Sequence, residues 1–248
     1  NPQCVARLEQ KGVVTAHSME ELPSGYEVVI RSHGVDEKTY DALAAKGLTV
    51  HDATCPFVAK IQRIAKEAGE NGALLLIAGD KSHPEVQGIV GHTRGEVFVF
   101  SDLMELEAFS GPENVKKSVY VVAQTTFQIT KWLESVKFIK KLYTNPKVFD
   151  TICNATWARQ QETEELAHKC DLMVVIGGRD SSNTQKLVKV AGNHCKTIAV
   201  ETAAELSAED FADVRCAGVT AGASTPSSII EEVLNKMSET VQNEELSF

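Results

Sequence analysis

No apolar run approaches the roughly 18 to 20 residues that span a bilayer, which excludes a transmembrane helix. The opening NPQCVARLEQ has no apolar core of the kind a signal peptide carries, so the expectation is a soluble, cytoplasmic protein without a membrane role. Basic residues are the minority, 25 against 34 acidic ones for a formal net charge of -9. That balance argues against the broad basic footprint of a nucleic-acid binder, and an anionic ligand must be held by local groups. None of the 6 cysteines stands in a C-x-x-C pair, which argues against a disulfide framework or a local zinc module and leaves free thiols or a dispersed metal site. Low-complexity signals are missing too: 16 Gly and 7 Pro accompany 43% hydrophobic and 24% charged residues, a globular composition.

What is present alternates short β-branched runs with longer amphipathic stretches. EVVIRS, ALLLIAGD, EVFVFS, SVYVVAQ, DLMVVIGG, KTIAVE and RCAGVTAG read as strands, while FVAKIQRIAKEAGENG and ITKWLESVKFIKKL carry apolar residues at helical spacing. Strands that are apolar throughout are buried on both faces, so the pattern predicts an α/β protein with mostly parallel sheet.

The chain also repeats itself. Asp52-Ala53-Thr54-Cys55 returns as Asp150-Thr151-Ile152-Cys153, an offset of 153 - 55 = 98. Each cysteine is followed by a helix, a strand and a polar loop, with His83 and Ser181 at the same distance, 83 - 55 = 28 and 181 - 153 = 28. A later strand in each copy ends in Gln124-Thr125-Thr126 or Gly222-Ala223-Ser224-Thr225. Upstream of Cys55, the strand ending in Arg31-Ser32-His33-Gly34 repeats only the second half of the unit. The sequence therefore reads as two and a half copies: a partial first lobe at 1–55, a second lobe at 56–149, a third at 150–237 and a tail or linker at 238–248. Parallel α/β units present ligands at the carboxyl ends of their strands, which is where all these loops fall.

Each loop has two readings. A thiol at a helix N-terminus has its thiolate stabilised by unpaired amides, so Cys55 and Cys153 suit metal ligation, although a lone cysteine is ordinarily a small buried hydrophobe. Three such thiolates would hold an iron–sulfur cluster with one iron left open; zinc is the weaker candidate. Ser82-His83-Pro84-Glu85 is either a capping box, with Ser82 as the cap, or a loop that carries a buried catalytic acid. Asp180-Ser181-Ser182-Asn183-Thr184 and the Gly222–Thr225 loop either cap helices or bind phosphate through amides and hydroxyls. His33 is a turn histidine or, converging with His83, a phosphate donor. The basic run Lys131, Lys137, Lys140, Lys141 and Lys147 is a solvated helix face or a landing site for an acidic electron carrier. Cys4, Cys170, Cys195 and Cys216 have no repeat partners and are expected to serve packing.

The ordered set Ser32-His33-Gly34-Val35, Asp52-Ala53-Thr54-Cys55-Pro56, His83-Pro84-Glu85-Val86, Gln124-Thr125-Thr126, Asp150-Thr151-Ile152-Cys153, Ser181-Ser182-Asn183-Thr184 and Thr220-Ala221-Gly222-Ala223-Ser224 resembles the 4-hydroxy-3-methylbut-2-enyl diphosphate reductases of the non-mevalonate isoprenoid pathway, the LytB or IspH family. The resemblance spans residues 1 to about 237. It implies a three-lobed α/β/α trefoil with pseudo-threefold repeats, the first lobe incomplete here, around a [4Fe–4S] cluster held by one cysteine per lobe. It implies reductive removal of a hydroxyl from a small allylic diphosphate, giving isopentenyl and dimethylallyl diphosphate, with ferredoxin or flavodoxin as electron donor. By similarity, Cys55 and Cys153 are cluster ligands, Glu85 is the proton donor with Thr125 in its relay, and His33, His83, Ser181, Ser182, Asn183 and Ser224 bind the diphosphate.

This sequence departs from the family pattern at its start. The family's first Gly-Phe-Cys element would fall upstream of residue 1, so the third ligand is expected there, Cys4 lies too late to replace it, and this chain alone is expected to be inactive. The tail VQNEELSF resembles the start of a linker to S1 RNA-binding domains in some clostridial relatives. Two other readings stay open at this point, a cluster-free diphosphate-binding remnant and a three-cysteine enzyme like quinolinate synthase.

Overall fold

Short parallel strands dominate the computed structural model, which describes residues 2–22 and 25–245. In chain order, helix α1 (Pro2–Glu9) precedes strand β1 (Val28–Ile30), helix α2 (Glu37–Ala45) and strand β2 (Val50–Asp52). Next come α3 (Pro56–Glu70), β3 (Leu74–Ala78), α4 (Pro84–Val90), β4 (Val97–Phe100), α5 (Leu103–Phe109), β5 (Val119–Ala123), α6 (Ile129–Leu142) and β6 (Lys147–Val148). The last stretch holds α7 (Asn154–Ala167), β7 (Leu172–Ile176), α8 (Ser182–Gly192), β8 (Lys196–Val200), two 3-10 turns (Ala203–Glu205 and Ala208–Phe211), β9 (Ala217–Ala221) and α9 (Ser227–Glu245). The chain divides into two units, Ala16–Cys153 and Asn1–Thr15 with Asn154–Phe248. The helix α9 runs on through the stretch read as a tail as far as Glu245; positions 246–248 lie outside the described residues.

The first of these units holds two sheets. β1 and β2 pair in parallel, Val28 opposite Val50 and Ile30 opposite Asp52. This sheet is thin: Ile30 is buried, but Val29 is 67% exposed. The second sheet has the order β4-β3-β5-β6, all parallel, and every residue of β3 and β5 is buried. A strand with sheet neighbours on both sides and helices over both faces must be apolar throughout, and LLLIA and VYVVA are nearly so. α3 starts at Pro56, whose missing N–H costs nothing at the first helical position. Its residues Val58, Ile61, Ile64, Ala65 and Ala68 recur every three or four positions and form the buried face; Ile61, Ile64, Ala65 and Ala68 pack with Leu75, Ile77 and Tyr120. Full burial of one such aliphatic side chain is worth about 1.5–3 kcal/mol, so this layer fixes the ends of β3 and β5 firmly.

The second unit builds its sheet in the order β8-β7-β9, again parallel. Its centre, β7, is wholly buried, and α9 packs on it with Ile229 and Val233. The spacing repeat is reproduced in the strands: β3 and β7 start 172 - 74 = 98 residues apart, and β5 and β9 start 217 - 119 = 98 apart. In both sheets the chain leaves the central strand toward one edge and crosses back to pair on its other side. That reversal opens a crevice at the carboxyl ends of the central strand and its later neighbour, β3 and β5 in one unit, β7 and β9 in the other.

Candidate active site

At the β3–β5 crevice, the loop after β3 is tied to the loop after β5. The amide of Asp80 donates to Gln124 Oε1 at 3.1 Å, and Gln124 Nε2 donates to Thr126 Oγ1 at 3.1 Å. His83, rather than Ser82, caps α4: its Nδ1 accepts from the amide of Glu85 at 3.1 Å, while the Ser82 hydroxyl donates to Asp80 at 2.7 Å. The capping-box reading of this tetrapeptide therefore fails. With Ser82 turned to Asp80, the Glu85 carboxylate points inward, is only 2% exposed, and accepts from the Thr125 amide at 2.6 Å and the Thr125 hydroxyl at 2.7 Å. A buried carboxyl gripped by one amide and one hydroxyl is held in a single orientation. The His33 ring meets the His83 ring edge-on, with centroids 5.1 Å apart. His33 sits in the turn after β1, and burial, helped by the neighbouring Arg31 charge, pushes its pKa below the ordinary value of 6.5. Its Nδ1 is buried without a hydrogen-bond partner.

Gly34 explains why that turn has its sequence. Its φ of +68° suits glycine, and a Cβ there would collide with the Gln62 side chain and crowd Thr54.

The two cysteines are delivered by equivalent backbone bonds. The Cys55 amide donates to Ser32 O at 3.0 Å, and the Cys153 amide donates to Thr125 O at 2.9 Å. Each cysteine is thus pinned to the strand-end loop that precedes it in the repeat, and each stands just before a helix, α3 or α7. Thr151 reinforces the second placement, because its hydroxyl both donates to Ala123 O and accepts from Ala123 N at 2.8 Å, taking the place of a backbone ladder pair. Asp52 does comparable work in the first: burial opposes its charge, but donation by the Thr54 hydroxyl and amide and by the Tyr40 hydroxyl outweighs this and holds its pKa low. Both thiols are free and half-buried, and the Cys55 sulfur makes no capping hydrogen bond. Paired positions, uncommitted sulfur and helix N-termini are what soft-metal ligation requires, so these residues fit two ligands of an iron–sulfur cluster.

The β7–β9 crevice has different chemistry. Ser181 caps α8 through its Oγ, which accepts from the Thr184 amide at 3.4 Å. The Asn183 side chain, 6% exposed, has both Nδ2 and Oδ1 buried without a partner, and Thr184 Oγ1 is in the same state. Two glycines keep this spot open: a Cβ on Gly177 or on Gly222 would run into Thr184 Oγ1. On the first turns of α8, Lys186 donates to the Ser182 hydroxyl at 3.1 Å, and Ser224 is exposed in the loop after β9. Buried polar atoms are almost always paired in a folded protein, so a cluster of unpaired ones at a helix N-terminus is prepared for a polar, anionic ligand.

A sequence model of the family described as LytB protein matches residues 1–238. The chain belongs to the LytB family. A LytB relative from Thermoanaerobacter sp. (strain X514), named 4-hydroxy-3-methylbut-2-enyl diphosphate reductase, is 43% identical over 240 residues, covering 96% of this chain and 82% of the relative. A solved structure of (E)-4-hydroxy-3-methyl-but-2-enyl diphosphate reductase, the terminal enzyme of the non-mevalonate pathway, is 38% identical with a TM-score of 0.65 over 96% of this chain and 85% of that one. The E-1-hydroxy-2-methyl-but-2-enyl-4-diphosphate reductase from Plasmodium falciparum is 26% identical with a TM-score of 0.86 over 93% of this chain and 73% of that one. LytB membership brings the α/β fold with parallel sheets, an oxidoreductase class, iron–sulfur character and a place in isoprenoid biosynthesis. No helix among the described residues is long and apolar enough to cross a membrane.

Several LytB residues that organise the loops were in the quoted motifs without being singled out: Gln124, Thr151 and Thr184. Their signal was a polar residue at the end of an apolar strand, where a partner or a ligand must be found. The packing role expected of the unrepeated cysteines needs correction at Cys216, which is exposed with its Sγ 3.3 Å from Cys170 Sγ. Burial, together with Cys216, Cys195 and Asp171, pushes the Cys170 thiol up to about 11. Lys147, in the basic run, donates to the Tyr120 hydroxyl at 2.5 Å and lies over its ring.

Proposed function

We propose that this chain carries the catalytic loops of a 4-hydroxy-3-methylbut-2-enyl diphosphate reductase, which breaks the allylic C–O bond of its substrate with two electrons and two protons, releases the oxygen as water and leaves a C–H bond, yielding isopentenyl and dimethylallyl diphosphate. Cys55 and Cys153 would hold two irons of a [4Fe–4S] cluster, which would supply the two electrons and a Lewis acid for the departing oxygen. The remaining tasks belong to side chains. Glu85 protonates the hydroxyl so that it leaves as water, and the Thr125 hydroxyl, able both to donate and to accept, passes a proton to the carboxyl. Ser181, Ser182, Asn183 and Ser224 hold the diphosphate at the start of α8; His33 and His83, paired edge-on in the other unit, are the further phosphate donors that the family resemblance implies. The donor is a cytoplasmic ferredoxin or flavodoxin.

The observation that carries this reading is Asn183, a buried amide with neither atom satisfied in a loop that begins a helix. A purely structural loop would pair such a group or replace it, because leaving it unpaired costs about 1–3 kcal/mol. The test is anaerobic turnover of 4-hydroxy-3-methylbut-2-enyl diphosphate by the cluster-loaded enzyme as its natural gene encodes it. Formation of the two C5 diphosphates supports the proposal; a loaded cluster with no product overturns it.

A further inference from the structure

Away from both crevices, beside the amino end of the β7 sheet, the structure gathers Glu164, His168 and His194, whose ligand atoms all lie within 4.8 Å of one another. We propose that these three residues form a divalent transition-metal site, best suited to Zn²⁺, that staples α7 to the turn after α8.

The backbone fixes both sides of the site. Glu164 and His168 are one helical turn apart, so they share a face of α7, and the His168 amide donates to Glu164 O at 3.1 Å to continue the helix past Ala167. His194 follows α8, with its amide bonded to Ala191 O at 2.9 Å. Small side chains let the two helices come close here: Ala167 and Ala191 are buried against each other's neighbours and Met173. The imidazoles of His168 and His194 are tilted at 46° with centroids 4.0 Å apart, and His194 Nε2 lies 3.6 Å from Glu164 Oε1. Tetrahedral Zn²⁺ with bonds of about 2.0–2.1 Å needs ligand atoms about 3.3 Å apart; the His194–Glu164 pair at 3.6 Å is near that spacing, and the other pairs lie within 4.8 Å. The cluster lies at the surface, with His168 and His194 exposed and the Glu164 side chain 47% exposed, so a metal ion can reach it from solvent. Two imidazoles and a carboxylate favour Zn²⁺ over Mg²⁺ or Ca²⁺, and three protein ligands leave the fourth position to water. Tying two neighbouring helices makes the expected role structural.

Thiolates are strong zinc ligands, so the test uses the chain with Cys55, Cys153, Cys170, Cys195 and Cys216 each replaced by serine and substitutes Co²⁺ for Zn²⁺, because the Co²⁺ spectrum reports its ligands. One Co²⁺ per chain with visible ligand-field bands, no intense thiolate-to-metal charge transfer and displacement by Zn²⁺ is the expected result. Loss of an outer-shell partner alone costs a metal site about 10–100-fold, so His168→Ala and His194→Ala should each weaken binding by at least about tenfold. Zn²⁺ should raise the thermal midpoint of the parent and leave that of the double His variant unchanged. Thiolate charge transfer, the absence of saturable binding, or binding that survives both His substitutions in chains with unaltered circular dichroism would overturn the proposal.

Discussion

The β3–β5 and β7–β9 crevices are built on the same strand order, 98 residues apart, yet they treat polar groups in opposite ways. In the first, the buried carboxylate of Glu85 receives two hydrogen bonds from Thr125 and the loops are stitched together by Gln124. In the second, the Asn183 side-chain amide and the Thr184 hydroxyl are buried with no partner, and two glycines preserve the space beside the Thr184 hydroxyl. A common scaffold has thus been given one internally completed loop pair and one left incomplete. Completion suits a group that must be held in a fixed orientation while it moves a proton. Incompletion suits a group whose partner arrives with the ligand.

The largest expected effect breaks the completed side. In the cluster-loaded enzyme, Glu85→Gln should keep substrate affinity and lose about 10²–10⁴ in turnover, the usual value of positioned acid–base catalysis. Steady-state kinetics check this, and a near-normal kcat would reduce Glu85 to a structural role. Thr125→Val makes the first crevice resemble the second, because it strips the hydroxyl donor from a buried carboxylate. Stability should fall by about 1–3 kcal/mol, read as a lower urea midpoint with unchanged slope. The smallest effect concerns His33, whose Nδ1 is buried without a hydrogen-bond partner. Its pKa is lowered in the folded chain, so below 6.5 the unfolded chain takes up a proton that the folded chain resists. The neutral ring costs nothing above 6.5, and stability declines as pH drops from there toward the lower folded value. Urea midpoints between about pH 7 and pH 5 should lose part of that slope in His33→Gln.

The strands and the repeat were legible because a strand buried on both faces has little choice but to be apolar throughout, as LLLIA and LMVVI are. The two long amphipathic helices were legible for a different reason, the return of buried residues every three or four positions on one face. α7 was less so: its buried stripe is Thr156, Gln160, Thr163 and Ala167, which keeps helical spacing but no apolar signal. At the loops, residue types told which positions are polar without telling which polar groups satisfy one another. Ser82-His83-Pro84-Glu85 fits a capping box by spacing alone, and only the Ser82–Asp80 bond and the Thr125 donors reveal that Glu85 turns the other way. Likewise, nothing in Ser181-Ser182-Asn183-Thr184 distinguishes a satisfied cap from an open one. The cluster of Glu164, His168 and His194 was invisible because His194 comes from the turn after α8, and spacing rules see only Glu164 and His168, four residues apart at the end of α7.

The contrast between the two crevices is tested most directly at Asn183, by measuring stability and pyrophosphate affinity on the same variant. If the unpaired amide exists for an anion, Asn183→Leu, a change of similar volume, should leave stability unchanged or raise it, because no intramolecular bond is lost. Inorganic pyrophosphate binding, followed by calorimetry, should weaken by about 1–3 kcal/mol, the worth of a hydrogen bond to a charged group. A variant that loses stability while binding pyrophosphate as before would contradict the account, since Asn183 would then be a structural residue and the second crevice would be as complete as the first.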